Sequence, residues 1–173
     1  LAFAGSNSKH SINKQLAIYA AGLVEEVTID VADLNDYELP IFGVDIEQEE
    51  GFPKAALAFN DLLGNYDGFV LSLAEHNGSY SAVFKNIFDW VSRIDRKVFK
   101  DKPILLMATS PGGRGGASVL ESASSTFPHM GAGEISKFSL PSFYDHFKEN
   151  KLNGEYKGQL ESAIKEFNKA ISE

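Results

Sequence analysis

Three short runs carry residue types that hold small anionic or heteroaromatic ligands. They are Gly5-Ser6-Asn7-Ser8-Lys9-His10-Ser11, Glu75-His76-Asn77-Gly78-Ser79 and Thr109-Ser110-Pro111-Gly112-Gly113-Arg114-Gly115-Gly116. In the first, Ser6, Ser8 and Ser11 offer hydroxyls, and a helix starting near Ser11 or Ile12 offers amides with no helical partner. That combination favours a phosphate even without a cationic side chain. The run is not a Walker A loop, because Gly-Lys-Ser/Thr is missing, and it is not a Gly-x-Gly-x-x-Gly fingerprint. An ordinary serine-rich turn with an N-cap accounts for the same residues. His10 reads as a solvated loop residue, since no second histidine or carboxylate stands at metal-ligand spacing.

The second run brings main-chain amides, the Asn77 amide and two ring-bearing residues, His76 and Tyr80, into one stretch. A flat heteroaromatic ligand needs edge hydrogen bonds and face contacts, and these residues can supply both. A turn capped by Ser79 or Ser81 is the alternative. The third run has four glycines in five positions, 112 to 116. Such a backbone approaches ligands closely, or else forms a flexible surface loop. Arg114 either pairs with an anionic substrate or is solvated. Further on, Lys85 and Asp89 have pairing distance along a helix, Asp89 otherwise reads as a solvated charge, and Trp90 reads as packing.

Each run follows an apolar, strand-like segment, so the elements matter as much as the turns. Residues 1–5 read as a first strand and Val27 to Val31 as a second; 67–74 is a third, Pro103 to Ala108 a fourth and Glu134 to Leu140 a fifth. The nearly continuous apolar character of 67–74 suits a parallel sheet covered on both faces. Helical spacing links Leu16, Ala17, Ala20, Leu23 and Val24, with Ser11 as N-cap. It also links Ala55, Ala58, Phe59, Leu62 and Leu63 after Pro53, and Val83, Phe84, Ile87, Phe88 and Val91 after Ser81. A shorter helix is expected over Ala117 to Phe127, and a last one carries Leu160, Ile164, Phe167 and Ile171. Asp33 to Gly51 reads as a long connection interrupted by Leu39-Pro40-Ile41-Phe42. Regular alternation of strand and helix predicts one α/β domain over residues 1–173 with right-handed crossovers. Ligands in open sheets of this kind bind beyond the carboxyl ends of the strands, where all three runs fall.

Bulk properties narrow the function. The 173 residues are enough for one sizeable core. With no cysteine, thiolate metal sites, disulfides and cysteine nucleophiles are excluded, and no metal site is expected. A net charge of −8 and the dilution of Lys97, Lys100 and Lys102 by Asp95 and Asp101 argue against nucleic acid as a partner. No window suits a bilayer span, and a cytoplasmic location is the expectation. The chain opens at Leu1 inside an apolar run, which leaves room for native residues and a targeting segment ahead of it.

The motifs together resemble the NADPH-dependent FMN reductase family, flavodoxin-like proteins that include quinone and azo-dye reductases. The family's first motif, roughly Gly-Ser-x-Arg-x-x-Ser-x-Asn-x-x-Leu, is met by Gly5, Ser6, Ser11, Asn13 and Leu16. Ser8 stands where arginine is common, a departure that removes one phosphate cation. The second motif, roughly Glu-Tyr-Asn-x-Ser-x-Pro-x-x-Leu-Lys-Asn-x-x-Asp-Trp, is met by Glu75, Asn77, Ser79, Lys85, Asn86, Asp89 and Trp90. His76 replaces Tyr, Ser81 replaces Pro and Phe84 replaces Leu. Lys102-Pro103 and the glycine-rich run also match, so the resemblance covers nearly the whole chain.

That resemblance implies a three-layer α/β/α sandwich on a five-stranded parallel sheet of order 2-1-3-4-5. It implies FMN as cofactor, with Ser6, Ser8, Ser11, Ile12 and Asn13 around the phosphate. Glu75, His76, Asn77, Gly78 and Ser79 would line the isoalloxazine, with Ser110, Pro111, Gly112 and Gly113 at its other edge. NADPH or NADH would be the co-substrate and a flavin, quinone, azo compound or metal ion the small acceptor, served in turn. No protein acid or base is obligatory for hydride transfer through a flavin, so no catalytic residue is nominated. Leu39 to Phe42 resembles a loop near the family's dimer interface, which implies a homodimer or homotetramer. A non-enzymatic FMN-binding electron carrier or redox sensor is the alternative function.

Overall fold

The computed structural model describes all of residues 1–173. Its main sheet has four parallel strands: β1 (Ala2–Gly5), β2 (Phe69–Leu73), β5 (Lys102–Thr109) and β6 (Ala132–Leu140), in the order β1-β2-β5-β6. Side chains of successive residues leave opposite faces of a strand, and both faces are covered here. Phe69, Leu71 and Leu73 of β2 join one core with Ile104, Leu106 and Ala108 of β5; Val70, Leu105 and Met107 join the other. The first core is closed by α3 (Lys54–Gly64), α4 (Ala82–Ile94) and α5 (Ala117–Thr126). The second is closed by α1 (Ile12–Ala21) and α7 (Glu155–Ser172). The result is three layers, helix on sheet on helix.

Local chemistry explains the boundaries. Ser11 caps α1 by accepting from the Lys14 amide at 3.1 Å, and Ser81 caps α4 by accepting from the Phe84 amide at 3.3 Å. Phe84, Ile87, Phe88 and Val91 are buried at helical spacing along α4, as their periodicity predicts. In β5, Pro103 has no amide to donate, and the ladder to β6 shifts register between Lys102 and Ile104.

The predicted second strand is not formed. Val27 to Val31 reaches the sheet through one parallel bridge, Val31 to Ala2, with the Ala2 amide donating to Asp30 O at 2.8 Å and the Ala32 amide donating to Ala2 O at 2.9 Å. In that register residues 27–30 lie upstream of Ala2, where β1 offers only Leu1 as a partner. Val27 and Ile29 in that stretch are correspondingly exposed. The sheet therefore has four strands, not the expected five, with residue 31 at the position a fifth would take. Helix α3 buries Ala56, Phe59 and Leu63, a face rotated from the predicted stripe, so that Ala58 is exposed.

Several short elements lie inside stretches read as connections. The 33–51 segment holds a 3-10 turn at Leu34–Asp36 and α2 (Val44–Glu50). A tight hairpin pairs β3 (Glu75–His76) with β4 (Ser79–Tyr80). Near the carboxyl end, α6 (Phe143–His146) precedes a second hairpin, β7 (Phe147–Lys148) with β8 (Lys151–Leu152). No helix is long and apolar enough to cross a membrane.

Candidate functional site

The three runs meet at one end of the sheet. In the parallel register Gly5 stands beside Leu73, and Leu73 beside Ala108, so the turns after β1, β2 and β5 leave the sheet at one level. Three sets of hydrogen bonds tie them together. Ser81 Oγ donates to Gly5 O at 2.7 Å, joining the second turn to the first. Asn13 Nδ2 donates to Thr109 O at 3.2 Å, and Asn13 Oδ1 accepts from the Thr109 amide at 3.0 Å and from Ser72 Oγ at 2.7 Å. Glu75 Oε2 accepts from the Val119 amide at 3.0 Å, joining the second turn to the helix after the third.

In the first turn, Ser8 N–H donates to Ser6 Oγ at 3.2 Å and Ser11 N–H donates to Ser8 O at 3.2 Å. Ser11 Oγ takes the Lys14 amide, which leaves the amides of Ile12 and Asn13 as helix-start donors without a helical partner. Both point along the positive end of the α1 dipole. Ser8, Lys9 and His10 are exposed, as expected for His10. Asn13 is 3% exposed and its side chain is committed to β2 and β5, so its main-chain amide is the group it has left to offer a ligand.

The second run is the β3–β4 hairpin. Asn77 and Gly78 have φ of 52° and 75°, the pair of left-handed residues a two-residue type I′ turn requires. The Asn-Gly dipeptide between Glu75-His76 and Ser79-Tyr80 is the sequence signal for this turn, and reading it alone would have given the hairpin. His76, Asn77, Gly78 and Ser79 are exposed on it. Tyr80 is not available to stack on a ligand. Its ring lies parallel to Phe127, with centroids 6.3 Å apart, and against Phe84 and Phe88; its hydroxyl is buried with no hydrogen-bond partner.

The third run is braced rather than loose. Ser110 O accepts from the Phe143 amide at 3.0 Å, Gly112 O from the Ser142 amide at 2.9 Å, and Gly115 O from Ser139 Oγ at 3.0 Å. A Cβ at Gly115 would fall 2.5 Å from Ser139 Oγ, and one at Gly116 2.7 Å from Ala108 Cβ, both at positive φ. At Gly112 and Gly113 an added Cβ meets nothing within 4 Å, so the turn faces open space. Ser110 Oγ donates to Gly112 O at 3.0 Å, and Arg114 Nη2 donates to Ser118 Oγ at 2.8 Å within the segment.

The Lys-Asn-x-x-Asp-Trp run does not enter this site. Lys85 and Asp89 form a surface ion pair at 2.7 Å. Asn86 Nδ2 and Trp90 Nε1 both donate to Pro40 O, at 3.0 and 2.8 Å, and Asn86 Oδ1 accepts from the Phe42 amide at 2.8 Å. Arg93 pairs with Glu47 at 2.8 Å. The motif thus seats residues 39–50 on α4 and leaves Ile41 83% exposed. Lys97, Lys100 and Lys102 are each paired with an aspartate, Asp101, Asp95 and Asp67 respectively.

A cavity of about 500 Å³ opens at the opposite end of the sheet, lined by Val27, Ile29, Val70 and Phe167 and by the carboxylates Glu26, Asp30 and Asp67. Those carboxylates disfavour a phosphate there, and we place the candidate site at the three turns. The turns fit an FMN: partnerless amides and hydroxyls for the phosphate, exposed polar groups on a rigid hairpin, and an open glycine backbone facing them.

Comparison with known proteins gives the family. A family model described as NADPH-dependent FMN reductase matches residues 1–145. The chain is 33% identical over 118 residues to a quinone reductase of Escherichia coli (strain K12), covering 65% of this chain and 60% of that protein. It is 35% identical over 122 residues to the probable NADPH:quinone oxidoreductase 1 of Oryza sativa subsp. japonica, covering 68% and 60%. The chain thus spans about 60% of the length of these curated relatives. Among solved structures, the flavoenzyme NAD(P)H:(acceptor) oxidoreductase FerB of Paracoccus denitrificans shares the fold at TM-score 0.73 and 22% identity, over 98% of this chain and 94% of that one. An oxidoreductase of Corynebacterium diphtheriae does so at TM-score 0.74 and 18% identity, over 98% and 94%. The family model spans most of the chain, and the chain belongs to the NADPH-dependent FMN reductase family.

Proposed function

We propose that this chain is an FMN-dependent NAD(P)H oxidoreductase that passes hydride from NAD(P)H through bound FMN to a small acceptor, with quinones first among the candidates. The observation that carries this is the start of α1. Its turn is flanked by hydroxyls and a lysine, contains no carboxylate, and keeps the Ile12 and Asn13 amides free. The start of α5, by contrast, already holds the Glu75 carboxylate. Ser6, Ser8, Ser11, Ile12 and Asn13 are the proposed phosphate shell, Asn13 through its main chain. Glu75, His76, Asn77, Gly78 and Ser79 would lie along one side of the ring, and Ser110, Pro111, Gly112 and Gly113 along the other. The exposed side of the hairpin gives nucleotide and acceptor a common approach. The relatives named as quinone reductases support the acceptor class.

We read residues 1–173 as one flavodoxin-like FMN-binding domain in which residues 27–31 hold the second-strand position of the order 2-1-3-4-5. The Ala2–Val31 bridge supports this. The exposed apolar side chains Ile41, Val44, Phe52 and Leu57, all between residues 39 and 57, support a homodimer, or a tetramer built from it. A cytoplasmic location is part of the same reading. The test is the visible spectrum of the FMN-reconstituted protein under anaerobic conditions. Bleaching by NADH or NADPH, reversed by benzoquinone, is expected. A protein that holds FMN but is bleached by neither nucleotide is a carrier, and the enzymatic reading falls.

A further inference from the structure

Helix α5 starts without a cap of its own. Its N-cap is Gly116, left-handed at φ 75°, and no side chain in its own turn accepts from the first-turn amides. Such amides need an acceptor from elsewhere. Glu75 supplies it from the hairpin, 44 residues earlier, by accepting from the Val119 amide at 3.0 Å. A carboxylate there also lies at the positive end of the helix dipole.

Both ends of this link are rigid. Glu75 is paired with Tyr80 across the hairpin, whose turn is fixed by Asn77 and Gly78. Gly115 and Gly116 are wedged against Ser139 and Ala108 at distances that admit no side chain. The glycine-rich turn therefore has a fixed back wall, formed by residues 139–143, and a tether on its front side. That tether is Glu75.

We propose that Glu75 is a positioning residue. By closing the amino end of α5 it sets the separation between the hairpin 75–80 and the turn 110–116, the two walls between which the flavin ring is read to lie. Its Oε2 is taken up by the Val119 amide. This role rests on the FMN reading above. It also explains why the anion-binding end of α5 is not the phosphate site: a protein carboxylate already fills it.

The test uses Glu75→Ala, Glu75→Gln and Glu75→Asp in the full chain. Amide exchange at Val119 is read without flavin, and FMN affinity by fluorescence quenching. Glu75→Ala is expected to lose Val119 protection while α7 amides keep theirs, and to bind FMN roughly tenfold more weakly, the effect of about one lost hydrogen bond. Glu75→Gln still offers an acceptor oxygen and is expected to restore both. Glu75→Asp keeps the charge but is one methylene short, and is expected to behave like the alanine variant. Val119 protection unchanged in Glu75→Ala, or Glu75→Gln as weak in FMN binding as Glu75→Ala, overturns the proposal. Failure of the unmodified chain to bind FMN would instead strike the functional reading, and is told apart because the tether shows in the flavin-free exchange data alone.

Discussion

Asn13 and Thr109 exchange two hydrogen bonds, Nδ2 to the Thr109 carbonyl at 3.2 Å and the Thr109 amide to Oδ1 at 3.0 Å. A side-chain amide thus acts as a one-residue strand beside the end of β5, and Ser72 of β2 adds a third bond. Asn13→Ala leaves the amide and carbonyl of Thr109 and the hydroxyl of Ser72 unpaired in a buried place. A stability loss of roughly 2–4 kcal/mol is expected from urea unfolding. Loss of FMN affinity with unchanged stability would show that Asn13 serves the ligand directly.

Ile12 occupies the first helical position of α1, and Ser11 before it has ψ 119°, which a following proline accepts. Ile12→Pro therefore removes one amide donor while leaving the helix intact. FMN binding should weaken roughly tenfold or more, as for a lost hydrogen bond to a charged group. Fluorescence titration beside a melting curve checks this; equal affinity would remove the Ile12 amide from the phosphate shell.

Tyr80 buries a hydroxyl that has no partner among Phe84, Phe88 and Phe127. Removing it restores an all-apolar cluster of the same shape. Tyr80→Phe should stabilise the fold by about 1 kcal/mol, with FMN affinity unchanged. A destabilised variant would mean the hydroxyl has a partner in solution.

Lys14 donates to Asp33, and with the Asn35 amide it holds the Asp33 carboxyl below the ordinary aspartate value of 3.8. The folded chain thus binds this proton less readily than the unfolded one. The stabilisation is fully present above 3.8 and fades as pH falls through the lower folded value. Asp33→Asn should flatten that part of the acid limb, so the two proteins' urea midpoints draw together as pH falls below about 4. The pair is about one-third exposed, so the effect is modest. Midpoints that stay equally far apart down to about pH 2 would contradict this assignment.

Ile41 is 83% exposed on a loop that Asn86 and Trp90 hold in place. Under the homodimer reading, Ile41→Asp should shift sedimentation from a dimer to a monomer without changing the melting temperature of the fold. An unmodified chain that sediments as a monomer at micromolar concentration would rule the dimer out.

Much of this was legible in the sequence because it rests on local pattern. The apolar runs of β2 and β5, the α4 stripe and the Lys85–Asp89 pair follow from periodicity and spacing. The three turns fall at strand ends for the same reason. What was not legible depends on partners far along the chain. Val27 to Val31 has strand-forming residues, but β1 gives them one pairing position. Asn13 looked like a ligand in a serine-rich turn, while its acceptors, at Ser72 and Thr109, arrive only with the folded sheet. Tyr80 looked like a stacking ring until α4 and the 3-10 turn at Phe127–Met130 closed over it. The hairpin differs from these, since its Asn-Gly signal is local.

The seating of Pro40 and Phe42 by Asn86 and Trp90 bears on how such chains are classified. In this chain the Lys-Asn-x-x-Asp-Trp signature reports how a surface segment is anchored. If the hairpin tip and the glycine turn line the flavin as proposed, substrate preference would be free to diverge between chains that share this signature.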